Sequence, residues 1–137
     1  MTAQTTYIVR PETDEDDAPY WQSLRDHQAK LQKCPSCKSF RFPPFSTCYN
    51  CGTEEGEWTP ISGKGKVYTW TVVHHPLDPR LKEEVPFILA LIELEEGPRI
   101  TGRLVNCDSS QKLFEMPVKA RYDDLDKDFT LINFEPA

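Results

Sequence analysis

No run in this sequence stays apolar for the roughly 18 to 20 residues that a membrane-spanning helix needs. Met1 to Arg10 lack the apolar core and small-residue cleavage site of a secretory leader, and the closing Phe-Glu-Pro-Ala holds no lipidation box. These absences lead to the expectation of a cytoplasmic protein. An excess of positive charge is also missing, since 16 Lys and Arg stand against 22 Asp and Glu for a formal net charge of -6. Nucleic acid held through its phosphates usually meets a basic face, so this balance weighs against that role. No Gly-x-Ser-x-Gly elbow, phosphate loop or dinucleotide fingerprint occurs. His74, His75 and Asp78 are the one local group with acid–base potential, and they read as polar loop residues; His27 reads as a surface or partner-facing side chain.

A chain of 137 residues suits one compact unit, or one small domain with a satellite too short to bury its own core. Residues 1–17 end in Glu12, Asp14, Glu15, Asp16 and Asp17, an acidic arm with little surface to bury. Pro19 suits a first helical turn, and Trp21, Leu24 and Leu31 fall near one face at helical spacing, which predicts a helix over 18–33. Beyond the cysteine-bearing stretch the period switches to two. Lys66 to His74, Phe87 to Leu94, Arg99 to Val105, Val118 to Tyr122 and Phe129 to Phe134 read as five strands, the last two joined across an acidic turn at 123–126. Five strands without interior helices point to a small closed or partly closed barrel of the OB type over 61–137, with a small sandwich as the alternative.

Five cysteines without a secretion signal argue against a disulfide scaffold. Cys107 reads as a small buried or half-buried residue. The other four form Cys34-Pro35-Ser36-Cys37 and Cys48-Tyr49-Asn50-Cys51, two Cys-x-x-Cys units separated by ten residues. Two residues between thiolates let one tight turn aim both sulfurs at a metal, and two such turns complete a tetrahedron. A zinc ribbon over 34–60 follows, with Zn²⁺ expected and iron as the competitor. Four thiolates leave no open coordination position, so the metal is read as structural. Gly52 can take the backbone geometry such a knuckle asks for, whereas Lys38 stands at the matching point of the first.

The order of parts then becomes recognisable: Leu31-Gln32-Lys33-Cys34-Pro35-Ser36-Cys37, Phe42-Pro43-Pro44, Cys48-Tyr49-Asn50-Cys51-Gly52, Trp58, the segment Gly63-Lys64-Gly65-Lys66 running into Val67-Tyr68-Thr69-Trp70-Thr71-Val72-Val73, Pro86-Phe87, Leu91-Ile92-Glu93-Leu94 and Glu96-Gly97. Over roughly 18–135 the chain resembles the family of rubredoxin-like zinc-ribbon proteins with a C-terminal acyl-CoA-associated OB fold. It departs from that family at Lys38, where glycine is frequent, and at Arg103, where a smaller polar residue is common. The resemblance implies a mainly β chain with an N-terminal helix, and an accessory subunit rather than a self-sufficient enzyme. Partners implied are thiolase-fold enzymes in an α₂β₂ assembly: thiolases, hydroxymethylglutaryl-CoA synthases, or the lipid-transfer-protein-like aldolases that cleave steroid side-chain acyl-CoA. A hydratase complex is a further alternative.

Lys30, Lys33, Lys38, Arg41, Lys64 and Lys66 bracket the ribbon as a cationic rim in an acidic chain, suited to CoA phosphates or an acidic partner surface, or else simply solvated. Phe42, Phe45 and Tyr49 beside Pro43 and Pro44 read as a docking surface, or as local packing in place of a core. The contact set expected for partner or CoA is therefore Lys33, Lys38, Arg41, Phe42, Phe45, Tyr49, Lys64 and Lys66. The rival function is a single-stranded nucleic-acid module, because zinc ribbons and OB barrels can both stack bases on aromatic side chains.

Overall fold

A computed structural model describes residues 12–137, and residues 1–11 of the expected acidic arm lie outside the described residues. The chain is mainly β. One short helix, α1 (Ala18–Arg25), leads into β1 (Lys30–Lys33), β2 (Phe40–Arg41) and β3 (Glu57–Pro60), followed by β4 (Lys64–Val73), β5 (Phe87–Leu94), β6 (Arg99–Leu104), β7 (Pro117–Asp126) and β8 (Phe129–Pro136). The first three strands form an antiparallel sheet in the order β2-β1-β3, and the last five close a barrel in the order β4-β5-β6-β8-β7. All barrel pairs are antiparallel except β6 with β8, which meet in parallel at Leu104 and Phe134. No helix among the described residues is long and apolar enough to cross a membrane.

Alternation builds the barrel core. Along β5 every second residue, Ile88, Ala90, Ile92 and Leu94, is buried, and Val67, Ile100, Leu104, Val118, Ile132 and Phe134 meet them from the other strands. Gly65 sits where a side chain cannot: a Cβ there would lie 2.5 Å from the Glu93 carbonyl oxygen, so β4 and β5 close tightly at this end.

The helix is shorter than the 18–33 that periodicity predicts. It stops at Arg25, His27 takes a left-handed φ of 56°, and 30–33 becomes the central strand of the small sheet. Ser23 fixes the reversal, its Oγ donating to the Tyr20 carbonyl at 2.6 Å and accepting from the Lys30 amide at 3.0 Å. Leu31 fits the helical period of Trp21 and Leu24, yet it is buried from a strand. The acidic stretch 123–126 is likewise not a turn but the end of β7, paired with β8 as far as Asp126 and Phe129. Its charges have partners: Asp123 accepts from Arg121 Nε and Asn133 Nδ2, both at 2.8 Å, and Asp124 accepts from Thr130 Oγ1 at 2.6 Å and lies 2.9 Å from His27 Nε2.

Helix, small sheet and barrel share one aromatic seam. The Tyr20 ring meets Phe42 of the ribbon edge-on at 5.4 Å, and Trp21 lies 5.3 Å from Phe129 of the barrel. Burial pushes the Tyr20 phenol well above its ordinary range, so it remains neutral in this seam.

Candidate metal centre

Each cysteine pair is carried on the same tight turn. The Cys34 amide donates to the Ser39 carbonyl at 2.8 Å and the Lys38 amide to the Cys34 carbonyl at 3.0 Å; the Cys48 amide donates to Thr53 at 2.8 Å and the Gly52 amide to Cys48 at 3.0 Å. The two knuckles are thus near copies of each other. Both need a left-handed residue after the second cysteine, and Gly52 supplies it at φ 81° while Lys38 does so at φ 67°. A side chain is disfavoured in that conformation. Lys38→Gly is therefore expected to stabilise the fold by about 1 kcal/mol, read as a raised midpoint in thermal or denaturant unfolding of the metal-loaded protein.

The turns converge the four sulfurs. The Sγ atoms of Cys34, Cys37, Cys48 and Cys51 lie within 4.8 Å of one another, with Cys34 to Cys51 at 3.6 Å and Cys37 to Cys48 at 3.7 Å. A disulfide requires about 2.0 Å, and all five cysteines are free. A tetrahedral ion with sulfurs at about 2.3 Å sets its ligands about 3.8 Å apart, so this cluster could hold a metal ion.

Two hydroxyls, not singled out by the cysteine spacing, complete the surroundings. Ser39 Oγ lies 3.0 Å from Cys37 Sγ and 3.5 Å from Cys48 Sγ, and Thr53 Oγ1 lies 3.2 Å from Cys51 Sγ. Hydrogen bonding led by Ser39 and Asn50 brings the Cys37 thiol down to about 5, and Ser39 with the Cys51 and Asn50 amides brings Cys48 down to about 7. Both shifts favour the thiolate, the form a metal binds. The sequence carries the signal: a hydroxyl residue stands two positions after the last cysteine of each pair, Ser39 and Thr53.

The predicted contact residues divide into four pairs. Phe45 and Tyr49 stack at 5.6 Å with ring planes 9° apart, and both are at least half exposed. The pair is held in place, since Gln32 accepts the Phe45 amide at 2.9 Å and Tyr49 donates to the Pro43 carbonyl at 3.0 Å. Lys33 reaches over the Phe40 ring at 5.5 Å and Lys38 is exposed. Lys64 and Lys66 sit on the barrel, lining a cleft of about 520 Å³ with Glu93, Glu95, Glu115 and Lys119, and Lys66 pairs with Glu93 at 3.7 Å. Two residues depart from the expected surface. Phe42 is partly buried in the seam against Tyr20, and Arg41 is 2% exposed, donating from Nη1 to the Phe45 carbonyl at 3.0 Å and from Nη2 to the Glu55 carbonyl at 2.6 Å. Its guanidinium ties together the two loops flanking the second knuckle, so it belongs to the ribbon interior and not to a cationic rim. His74 and His75 are exposed in the loop after β4, and the Asp78 carboxylate is engaged by Arg80 at 2.9 Å; the Arg80 side chain and amide hold it below the usual carboxylate range.

Comparison with known proteins places this architecture. The family described as the ChsH2 C-terminal OB-fold domain matches residues 58–123. A DUF35 domain-containing scaffold protein of Methanocaldococcus jannaschii is 36% identical over 111 residues, covering 79% of this chain and 77% of that protein. A probable enoyl-CoA hydratase alpha subunit of Thermomonospora curvata is 34% identical over 128 residues, 93% of this chain, although the chain spans only 40% of that relative's length. The benzoylsuccinyl-CoA thiolase subunit BbsA of Geobacter metallireducens is 28% identical, with 70% of this chain and 67% of that protein covered. Among solved structures, one described as an Ltp2-ChsH2(DUF35) aldolase superposes with a TM-score of 0.83 at 33% identity, covering 93% of this chain and 98% of that one. Identity of 36% to a DUF35 scaffold protein over more than three quarters of both lengths, in a chain whose C-terminal part is an OB barrel, shows that this chain belongs to the DUF35 OB-fold family.

Proposed function

We propose that this chain is a non-catalytic accessory subunit that docks on a thiolase-superfamily enzyme and supports acyl-CoA binding or channelling there. The observation that carries the reading is its superposition on a chain of an Ltp2-ChsH2(DUF35) aldolase over nearly the whole length of both. The BbsA likeness favours a thiolase-fold partner in the same sense. Zn²⁺ held by Cys34, Cys37, Cys48 and Cys51 has the role of folding the ribbon, and four thiolates leave it no position for substrate or water. Lys33, Lys38, Phe45, Tyr49, Lys64 and Lys66 are the candidates for contact with partner or CoA. An α₂β₂ assembly is the stoichiometry we favour, with a thiolase, a hydroxymethylglutaryl-CoA synthase or a steroid side-chain acyl-CoA aldolase as the catalytic partner. A second reading, membership of an enoyl-CoA hydratase complex, draws support from the Thermomonospora relative.

Affinity capture from the native host with mass spectrometry, followed by acyl-CoA cleavage assays of the captured enzyme with and without this chain, tests the proposal. The expected result is a thiolase-fold protein whose turnover depends on the added chain. Robust turnover by the chain alone overturns it, as does capture of a hydratase without a thiolase-fold enzyme. Rigid, exposed aromatic pairs are the type of group that dominates protein interfaces. The double variant Phe45→Ala, Tyr49→Ala should therefore weaken partner binding at least tenfold by calorimetry or surface plasmon resonance while the unfolding midpoint of the free chain changes little.

A further inference from the structure

The barrel is closed by its strand order, but β4 is bonded along its full length on one side only. With β5 it pairs from Gly65 to Val73, with a bulge at Tyr68 where the register shifts between Val67 and Thr69; with β7 it pairs only at Lys64, Gly65 and Lys66. One more step is covered, where the Val67 amide donates to the Met116 carbonyl and the Glu115 amide to the Val67 carbonyl. Glu115 then takes a left-handed φ of 61°, and the segment 113–116 ends its run beside β4. Among the described residues no strand pairs the second edge of 68–73. Alternate residues of a strand bonded on one side turn their N–H and C=O groups to the open side.

Exposed edges are ordinarily blunted by a charge, a proline, brevity or a bulge. This edge has a bulge only where it begins, at Tyr68, and beyond it Thr69 to Val73 run in regular register with neither charge nor proline. Tyr68, Thr69, Trp70, Thr71, Val72 and Val73 are uncharged and are β-branched or aromatic throughout. Over about 20 Å they offer the donor–acceptor spacing that an extended backbone matches. Thr69 and Thr71 are exposed, and Tyr68, Trp70 and the neighbouring Phe114 keep 42%, 37% and 54% of their surface open, with the Arg99 guanidinium stacked on the Tyr68 ring at 3.8 Å.

We propose that this edge is an interface to a second copy of the chain, in which two β4 strands pair antiparallel about a two-fold axis near Trp70 and Thr71. The edge is self-complementary, because 69–73, beyond the bulge at Tyr68, is itself the kind of uncharged extended strand that it requires, and an isologous pair satisfies both open edges at once. No like charges meet within the paired stretch. Aromatic rings of roughly 200 Å² each, exposed to the extent given, can contribute at most about 270 Å² per copy. The rings of the pair thus supply up to about half of the roughly 1,000 Å² that a stable interface needs, with backbone and threonines to add. This surface lies on the barrel, and the proposal stands independently of whether the ribbon docks on an enzyme.

Sedimentation equilibrium or native mass spectrometry of the purified, metal-loaded chain from low micromolar to millimolar concentration tests it. A reversible dimer of the 15.8 kDa chain is expected. Thr71→Lys and Thr71→Glu should each weaken it at least tenfold, with metal content and circular dichroism unchanged, and Thr69→Lys should do the same. Mixing the Thr71→Lys and Thr71→Glu chains should restore a dimer, since opposite charges then meet across the axis. A wild-type monomer at every concentration overturns the proposal. So does a dimer that withstands all three substitutions, or one lost on removing residues 1–11 yet indifferent to them.

Discussion

Replacing Cys34 by serine should cost the protein its metal and, with it, the ribbon. Cys34 is fully buried, its sulfur accepts from the Cys37 amide at 3.5 Å, and it forms one edge of the sulfur cluster with Cys51. The small sheet has β2 of only two residues and contributes Leu31 as its fully buried aliphatic side chain, too little apolar surface to fold unaided. Apparent zinc-binding free energies of roughly 10 to 16 kcal/mol would supply what such a ribbon lacks. Metal content of the Cys34→Ser protein should fall from one ion per chain to a small fraction of that under mild chelation. The barrel has its own core around Val67, Ile92 and Phe134, so its β signal by circular dichroism should survive while the Tyr20–Phe42 seam loosens. Retention of a full complement of metal in that variant would show that the Cys34 sulfur is not a ligand the ion requires.

The second large effect belongs to Arg41. Truncation to alanine removes two charge-assisted hydrogen bonds and leaves the Phe45 and Glu55 carbonyls to find new partners. A loss of about 3 kcal/mol is expected, a Tm lower by on the order of 10 °C for a chain of this size. Arg41→Lys should not rescue it, because a single ammonium lacks the planar fork that reaches both carbonyls. Unchanged stability together with lost partner binding would instead return Arg41 to the docking surface.

Arg41 also shows where a sequence stops being informative. Its neighbours Lys33 and Lys38 made it look like part of a cationic rim, and nothing local in the chain reveals that carbonyls four and fourteen residues away fold around it. The cysteine cluster was legible because metal coordination is encoded in short, fixed spacings. The barrel strands were legible because burial alternates with period two, as along β5. Leu31 misled for the opposite reason: it completes a helical period with Trp21 and Leu24, but 25–28 supplies no apolar residue to continue the face, and Ser23 and His27 reverse the chain. At 123–126 composition suggested a turn, while Arg121, Asn133, Thr130 and His27 neutralise or bond the carboxylates and let β7 continue. Ser39 and Thr53 were readable in principle, as hydroxyls repeated at one offset from each cysteine pair, but only the folded knuckles show them touching sulfur.

In the proposed assembly sulfur alone fills the coordination sphere, so that the ion shapes the chain and the acyl-CoA chemistry is left to a partner. X-ray absorption at the zinc edge of the purified protein addresses this directly. One zinc per chain with four sulfur neighbours at about 2.3 Å and no nitrogen or oxygen neighbour is the predicted spectrum; a bound water or other light-atom ligand in the first sphere, or no zinc at all, would contradict it.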